Sequence, residues 1–151
     1  MRVYSVSTTQ VGVSTAKAMI SVFPNQGPAL ILRAWISQVG LTASEMLSAK
    51  LQRIDDEGTG TVVTPLTLNP GDAVSSAVAR VNHTVDPTVS VTPIVEEAFN
   101  VLNGWVWVPM PEERPWSKGF GNQGVGLFLS TAPSAATKIY AGVIFGILSS
   151  D

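Results

Sequence analysis

The apolar residues of this chain recur at every second position in short runs, and glycine and proline separate those runs. Residues 2–7 (RVYSVS) alternate in this way, as do residues 18–23 (AMISVF), which a Pro-Asn-Gln-Gly turn follows. Successive side chains of a β-strand point to opposite faces of its sheet, so a period of two is typical of a strand. The pattern therefore predicts an all-β protein.

The number of runs and the chain length narrow this fold class. Thirteen glycines and ten prolines divide the 151 residues into short pieces, which we interpret as about eight to ten strands. We expect a single two-sheet β-sandwich of jelly-roll type over residues 16–151, since this architecture holds that many strands at this length. Residues 1–15 are polar and have no obvious core of their own, which makes them a candidate N-terminal arm that lies on a neighbouring subunit or on a larger shell.

Two segments fit a helix as well as a strand. In residues 44–54 the apolar spacing fits either period, but the turn-forming residues 55–61 favour a β-hairpin whose second strand lies in residues 62–68. Asp72 can cap a short helix that ends near Val81. This is the only helix that we expect.

Residues 29–38 predict a strand with two different faces. One side, which we assign to the core, carries Leu30, Leu32, Ala34 and Ile36. The other side carries Ile31, Arg33, Trp35 and Ser37. We expect this second side to be half-exposed or to contact a neighbour.

The charge and residue composition argue against several functions. Nine basic and eleven acidic residues give a net charge of −2 without a basic cluster, so we expect no direct contact with nucleic acid. The chain has no cysteine, which removes disulfides, thiolate nucleophiles and cysteine-bound metals. No apolar run reaches the roughly 18 residues that a membrane helix needs, and we expect no membrane association.

The sequence predicts no catalytic residues, no cofactor and no metal. His83 is the single histidine, and we expect it on the surface or in a turn, where it serves neither a nucleophile nor zinc. The glycine-rich residues 119–126 lead into a strand rather than a helix, which argues against a phosphate site. Two lesser alternatives stay open: calcium at the acidic residues 55–57, and a hydrolase built from carboxylates of different strands.

Three of the four tryptophans lie in residues 104–116, GWVWVPMPEERPW. In a strand, Trp105 and Trp107 share one face and Val106 and Val108 the other, so both faces are apolar and need cover. Three explanations stay open: a strand buried within the monomer, a subunit contact, or a platform that stacks on sugar rings. The candidate residues for a subunit or partner interface are Trp35, Trp105, Trp107 and Trp116.

The last third of the chain carries an ordered set of segments. EAFNVLNGWVWVPMPEER (residues 97–114) precedes a glycine-rich turn, and VGLFLSTAP (residues 125–133) and AGVIF (residues 141–145) follow it. This order resembles a group of small β-sandwich proteins of tailed bacteriophages and prophages. A looser match extends through ILRAWISQ (residues 31–38) and LNPGD (residues 68–72).

The resemblance implies a non-enzymatic virion protein with a jelly-roll fold. It implies a capsid decoration (cement) protein that is made in the host cytoplasm, stands on the capsid exterior as a homotrimer and binds the major capsid protein. The family has no catalytic residues to transfer to this chain. The alternative is a phage-borne carbohydrate- or receptor-binding module that uses Trp105, Trp107 or Trp116.

Overall fold

The computed structural model of this chain describes residues 1–25, 27–118 and 123–148, apart from the side chains of residues 90 and 91. Within these ranges, thirteen strands form two antiparallel sheets, and a 3-10 turn at Pro111–Glu113 is the single helical element. The predicted all-β, two-sheet sandwich is confirmed. Nine of the strands have five residues or more, and the other four are pieces of two or three residues.

Seven strands form the larger sheet. Its continuous path runs through β10 (Trp105–Trp107), β4 (Ala29–Val39), β13 (Thr137–Ile147), β1 (Arg2–Ser7) and β7 (Leu66–Thr67). Two short strands are added to it: β11 (Trp116–Ser117) pairs with β4, and β2 (Val11–Val13) pairs with β13. Alternate residues of β13 from Ile139 to Ile147 are buried in the core, so β13 is the central strand of this sheet.

Six strands form the smaller sheet. Their spatial order is β6 (Thr59–Val63), β8 (Val78–Val85), β3 (Lys17–Phe23), β12 (Gly124–Leu129), β5 (Met46–Ile54) and β9 (Val89–Asn100). The core lies between the two sheets and is almost entirely apolar. Its largest fully buried side chains include Phe145, Met19, Ile36, Leu51 and Leu127.

The N-terminal segment belongs to the sandwich and is not a separate arm. β1 lies between β13 and β7 and pairs with both. Tyr4 and Val6 are buried, and the Tyr4 ring lies 5.8 Å from the Phe145 ring, measured between centroids. Tyr4 and Val6 pack into the core between the two sheets. The composition of residues 1–15 alone does not show this packing.

Two further sequence predictions are wrong in their pairing or type. The hairpin of residues 44–54 with 62–68 does not form, because β12 and β9 occupy both sides of β5, and β6 pairs with β8. The predicted helix from Asp72 is absent: β8 begins at Val78. The apolar residues of this segment are spaced two and four apart, which fits a strand as well as a helix. Because β8 pairs with both β3 and β6, the segment forms a strand.

β4 contains a β-bulge that changes which of its residues face the core. Arg33 pairs with Ile144, whereas Ile31 pairs with Phe145, so Leu32 is an extra residue in the ladder. Ile31 therefore faces the core before the bulge, and Ala34 faces the core after it. The predicted burial is correct for Leu30, Ala34 and Ile36, but Ile31 and not Leu32 is fully buried.

Deletion of residues 1–7 tests the role of β1. We expect the deleted chain to lose cooperative folding, because removal of β1 uncovers the core at Phe145 and leaves residues 142–147 of β13 unpaired on the side away from β4. Soluble yield and thermal unfolding followed by circular dichroism provide the measurement. As a control, Ser5→Ala on the outer side of the same strand should leave the unfolding midpoint nearly unchanged. Cooperative, wild-type unfolding of the deletion variant would refute this role.

Candidate functional surface

The outer face of the larger sheet carries apolar side chains on each strand of its continuous path. The register places directly opposed residues on the same face: Val106 opposes Trp35, and Ser5 opposes both Ile144 and Leu66. We call this set the apolar band. Its members are Val3, Trp35, Leu66, Leu68, Val106, Ile144 and Trp116.

Several members of the band are largely open to solvent. Val106 is 60% exposed, Leu66 is 68% exposed and Trp116 is 48% exposed. They are contributed by β10, β7 and β11, the strands at the two sides of the larger sheet. The exposed apolar area is therefore spread across the sheet and is not confined to one loop.

The ring of Trp35 lies over Gly142 of the neighbouring strand β13. A Cβ atom at Gly142, its neighbour on β13, would lie 1.9 Å from the indole ring, so the absence of a side chain at Gly142 gives the ring its place. The Arg33 guanidinium carbon lies 5.0 Å from the ring centroid, in a cation–π arrangement. The expectation that this side of β4 is half-exposed is confirmed for Trp35.

The two tryptophans of β10 face the opposite way, into the core. Trp105 is 4% exposed, and its indole N–H donates a hydrogen bond of 3.1 Å to the Glu97 carboxylate on β9. Trp107 packs partly buried against the same core. Of the four candidate interface residues, the structure thus places Trp35 and Trp116 on the band, while Trp105 and Trp107 face the core.

The proline-rich loop between β10 and β11 interrupts the edge of the larger sheet. Both short strands pair with β4, and the intervening loop contains the 3-10 turn. The Ile31 amide donates to the Pro115 carbonyl at 3.1 Å. Proline has no amide donor, so this edge is poorly suited to adding another strand. Glu112 and Glu113 are exposed at the tip of the loop.

His83 is buried inside the smaller sheet, which corrects the expectation of a surface or turn residue. It is 2% exposed and lies within β8. Its Nε2 atom lies 3.0 Å from the Ser21 hydroxyl oxygen and 3.2 Å from the Glu57 carbonyl oxygen. Burial is the main cause that lowers the pKa of His83 below its ordinary value.

The Ser21–His83 pair does not have the arrangement of an activated nucleophile. A carbonyl oxygen only accepts hydrogen bonds, so the contact with Glu57 favours the tautomer with the proton on Nε2. An Nε2 atom that donates its proton cannot take the proton of Ser21. The Ser21 hydroxyl is itself within 3.3 Å of the Glu57 carbonyl and is 1% exposed, away from any substrate.

The acidic residues 55–57 hold loops together. The Asp56 carboxylate accepts hydrogen bonds from the hydroxyl and the amide of Thr88 and from the Gly58 amide, and these bonds, the Thr88 hydroxyl first, lower the pKa of Asp56. Glu57 forms an ion pair of 2.8 Å with Arg80. In the part of the chain that the structure describes, no group of three or more potential ligand residues is placed to hold a metal ion.

Neither a family model, a curated protein nor a solved structure matches this chain. The resemblance to bacteriophage proteins therefore stays a prediction from the residues quoted above. Among the described residues, no helix has the length and apolarity to cross a membrane.

Substitutions at Trp105 and Val106 test the assignment of the two faces of β10. Trp105→Ala is expected to lower the free energy of unfolding by about 3–5 kcal/mol, because it leaves a cavity in the core. Val106→Ala removes an exposed side chain of the same strand and is expected to cost less than about 1 kcal/mol. Urea unfolding measures both values. Equal losses, or a larger loss at Val106, would overturn the assignment.

Proposed function

We propose that this protein is a non-enzymatic structural subunit of a bacteriophage virion. Its role is that of a capsid decoration protein, which binds the outer capsid surface and stabilises it as a homo-oligomer, a trimer in the arrangement that the resemblance implies. The observation that carries the proposal is the apolar band on the outer face of the larger sheet.

The extent of the band supports protein contact. It crosses five adjacent strands, whose spacing of about 4.8 Å makes it about 20 Å wide. Isolated exposed apolar residues are normal, whereas apolar residues that share one face of a sheet over several strands favour an interaction surface. The partly exposed Trp35 and Trp116 are also the residue type that is enriched at the centres of interfaces.

The rigidity of the band supports an assembly role. Its side chains stand on paired strands, and Trp35 is held between Arg33 and Gly142. A preorganised flat surface loses little conformational entropy when it docks. A sandwich of this kind offers its flank to a neighbouring subunit around a rotation axis.

Two valines of equal exposure provide a matched test. Val106 lies on the band and Val62 lies on β6 of the smaller sheet, and both are 60% exposed. Val106→Lys is expected to weaken the oligomer, because it places a charge in the contact. The concentration at which half of the protein is monomeric should rise at least tenfold. Val62→Lys should retain the wild-type mass. Light scattering across a dilution series measures both.

Co-sedimentation with capsids of the encoding phage that lack the protein tests the virion role separately. Wild-type protein and Val62→Lys are expected to bind with saturation, and Val106→Lys to bind more weakly. A wild-type protein that stays monomeric at micromolar concentration and fails to sediment with the capsids would contradict the proposal.

A second candidate function is the carbohydrate- or receptor-binding module. The exposed ring of Trp116 favours it, since an indole face that is open to solvent can stack on a sugar ring. The Arg53 guanidinium donates to the Trp116 carbonyl and thereby holds this short strand in place.

The module hypothesis predicts that a glycan array detects binding by the wild-type protein and that Trp116→Ala abolishes it. Met110→Ala serves as the control, because Met110 is 68% exposed on the adjacent loop but has no ring. An array without binding, or equal loss in the two variants, would exclude this second function.

A further inference from the structure

The strand β6 is held on one side only, and the turn of residues 55–58 that precedes it is bound at two places. β6 is an edge strand of the smaller sheet and pairs with β8 alone. Asp55 and Asp56 bind the turn to Thr88. Glu57 binds it to the strands of the sheet, since its carboxylate pairs with Arg80 and its carbonyl lies beside His83. An edge element of this kind can open without unfolding the sheet behind it.

A distortion of β8 places the imidazole of His83 beneath this element. Thr59 pairs with Val85 and Thr61 with Val81, so three residues of β8 stand opposite Gly60 alone. Within this bulge Asn82 has a φ of 52°, in the left-handed region that residues with side chains rarely adopt. The bulge interrupts the regular pairing of β8 with β6, and the buried His83 is one of its residues.

Gly60 allows β6 to lie close to His83. A Cβ atom at Gly60 would lie 2.8 Å from the Val81 carbonyl oxygen and 3.4 Å from the His83 Cγ atom. The imidazole thus lies between β6, the Ser21 hydroxyl of β3 and the Glu57 carbonyl of the turn. It therefore lies where the turn and β6 meet β3, and an opening of the edge would separate these elements around the ring.

We propose that His83 is a proton-controlled latch: the neutral imidazole holds residues 55–63 on the smaller sheet, and protonation of the ring releases them. The latch is independent of the proposed virion role.

The hydrogen bonds of the ring explain why a second proton is poorly accommodated. With Nε2 donating to the Glu57 carbonyl, the added proton must go to Nδ1. Nδ1 is buried and has no hydrogen-bond partner among the described residues. Protonation would therefore create a buried, charged donor without an acceptor, which strongly disfavours the closed state.

The charged groups around the ring act in both directions. Asp86 stabilises the protonated ring, whereas Lys17 and Arg80 oppose it, and the Glu57 carboxylate is already paired with Arg80. Burial is the largest contribution, and the pKa of His83 in the closed state lies below its ordinary value of 6.5. A depression lined by Lys17, Thr84 and Asp86 borders the histidine and brings solvent near it.

The sign of the pH dependence follows from this lowered pKa. The open state, with a solvated imidazole, binds the proton more readily than the closed state, so opening becomes more favourable as the pH falls below 6.5. Asp56 does not contribute in this range, because its pKa is lowered from 3.8 and the carboxylate stays charged. Acid opening between pH 6.5 and pH 5 is therefore assigned to His83.

Hydrogen exchange measured by mass spectrometry tests the latch in the wild-type protein between pH 7.5 and pH 5.0, after correction for the intrinsic pH dependence of exchange. We expect the opening constant of residues 55–63 to rise by up to about tenfold per pH unit below pH 6.5. The peptide that contains β12, in the interior of the same sheet, is the internal reference and should not change. An unchanged opening constant for residues 55–63 overturns the proposal.

Two variants separate the latch from a general loss of stability. His83→Gln retains an amide donor but cannot titrate, so the pH dependence should disappear; a dependence that persists in this variant overturns the proposal. Asp86→Asn removes the carboxylate that favours the charged ring and should extend the rise in opening to lower pH. If His83→Gln does not fold, the opening constants of the wild-type protein and of Asp86→Asn provide the test. An opening constant that levels off at a higher pH in Asp86→Asn than in the wild-type protein refutes the latch.

Discussion

The antiparallel pairing of β13 with β4 determines the orientation of most of the larger sheet. Ten residue pairs define this register, and the bulge at Leu32 lies within it. The pairing sets Ile36 towards the core and Trp35 towards the outside, and β10 then aligns on β4. Because opposed residues share a face, Trp105 must follow Ile36 inward, and Val106 must follow Trp35 outward.

This orientation explains why a strand with two apolar faces is present at the edge of the sheet. The tryptophan face supplies bulky side chains to the core, and Trp105 also satisfies its indole N–H through Glu97. The valine face extends the apolar band beyond Trp35. One short segment therefore contributes to the core on one side and to the exposed apolar band on the other.

Much of the fold was predictable from local patterns, but much of the candidate surface was not. The alternation in residues 2–7, 29–38 and 105–108 correctly predicted strands, because a period of two is a local property. The burial of His83 was missed, since it depends on a bulge in β8 and on Gly60 of a strand more than twenty positions earlier. The helix expected from Asp72 failed for a similar reason: the spacing fits both structures, and the neighbouring strands decide between them.

The sequence by itself determined the all-β class, the positions of most strands and the alternation that divides each strand into two faces. Only the tertiary structure decided which face is buried, which strands are neighbours and where the apolar band lies. The physical reason is the range of the interactions. Alternation is set by the geometry of the extended backbone, whereas burial and pairing are set by residues far apart in the chain, as when residues 2–7 join residues 142–147.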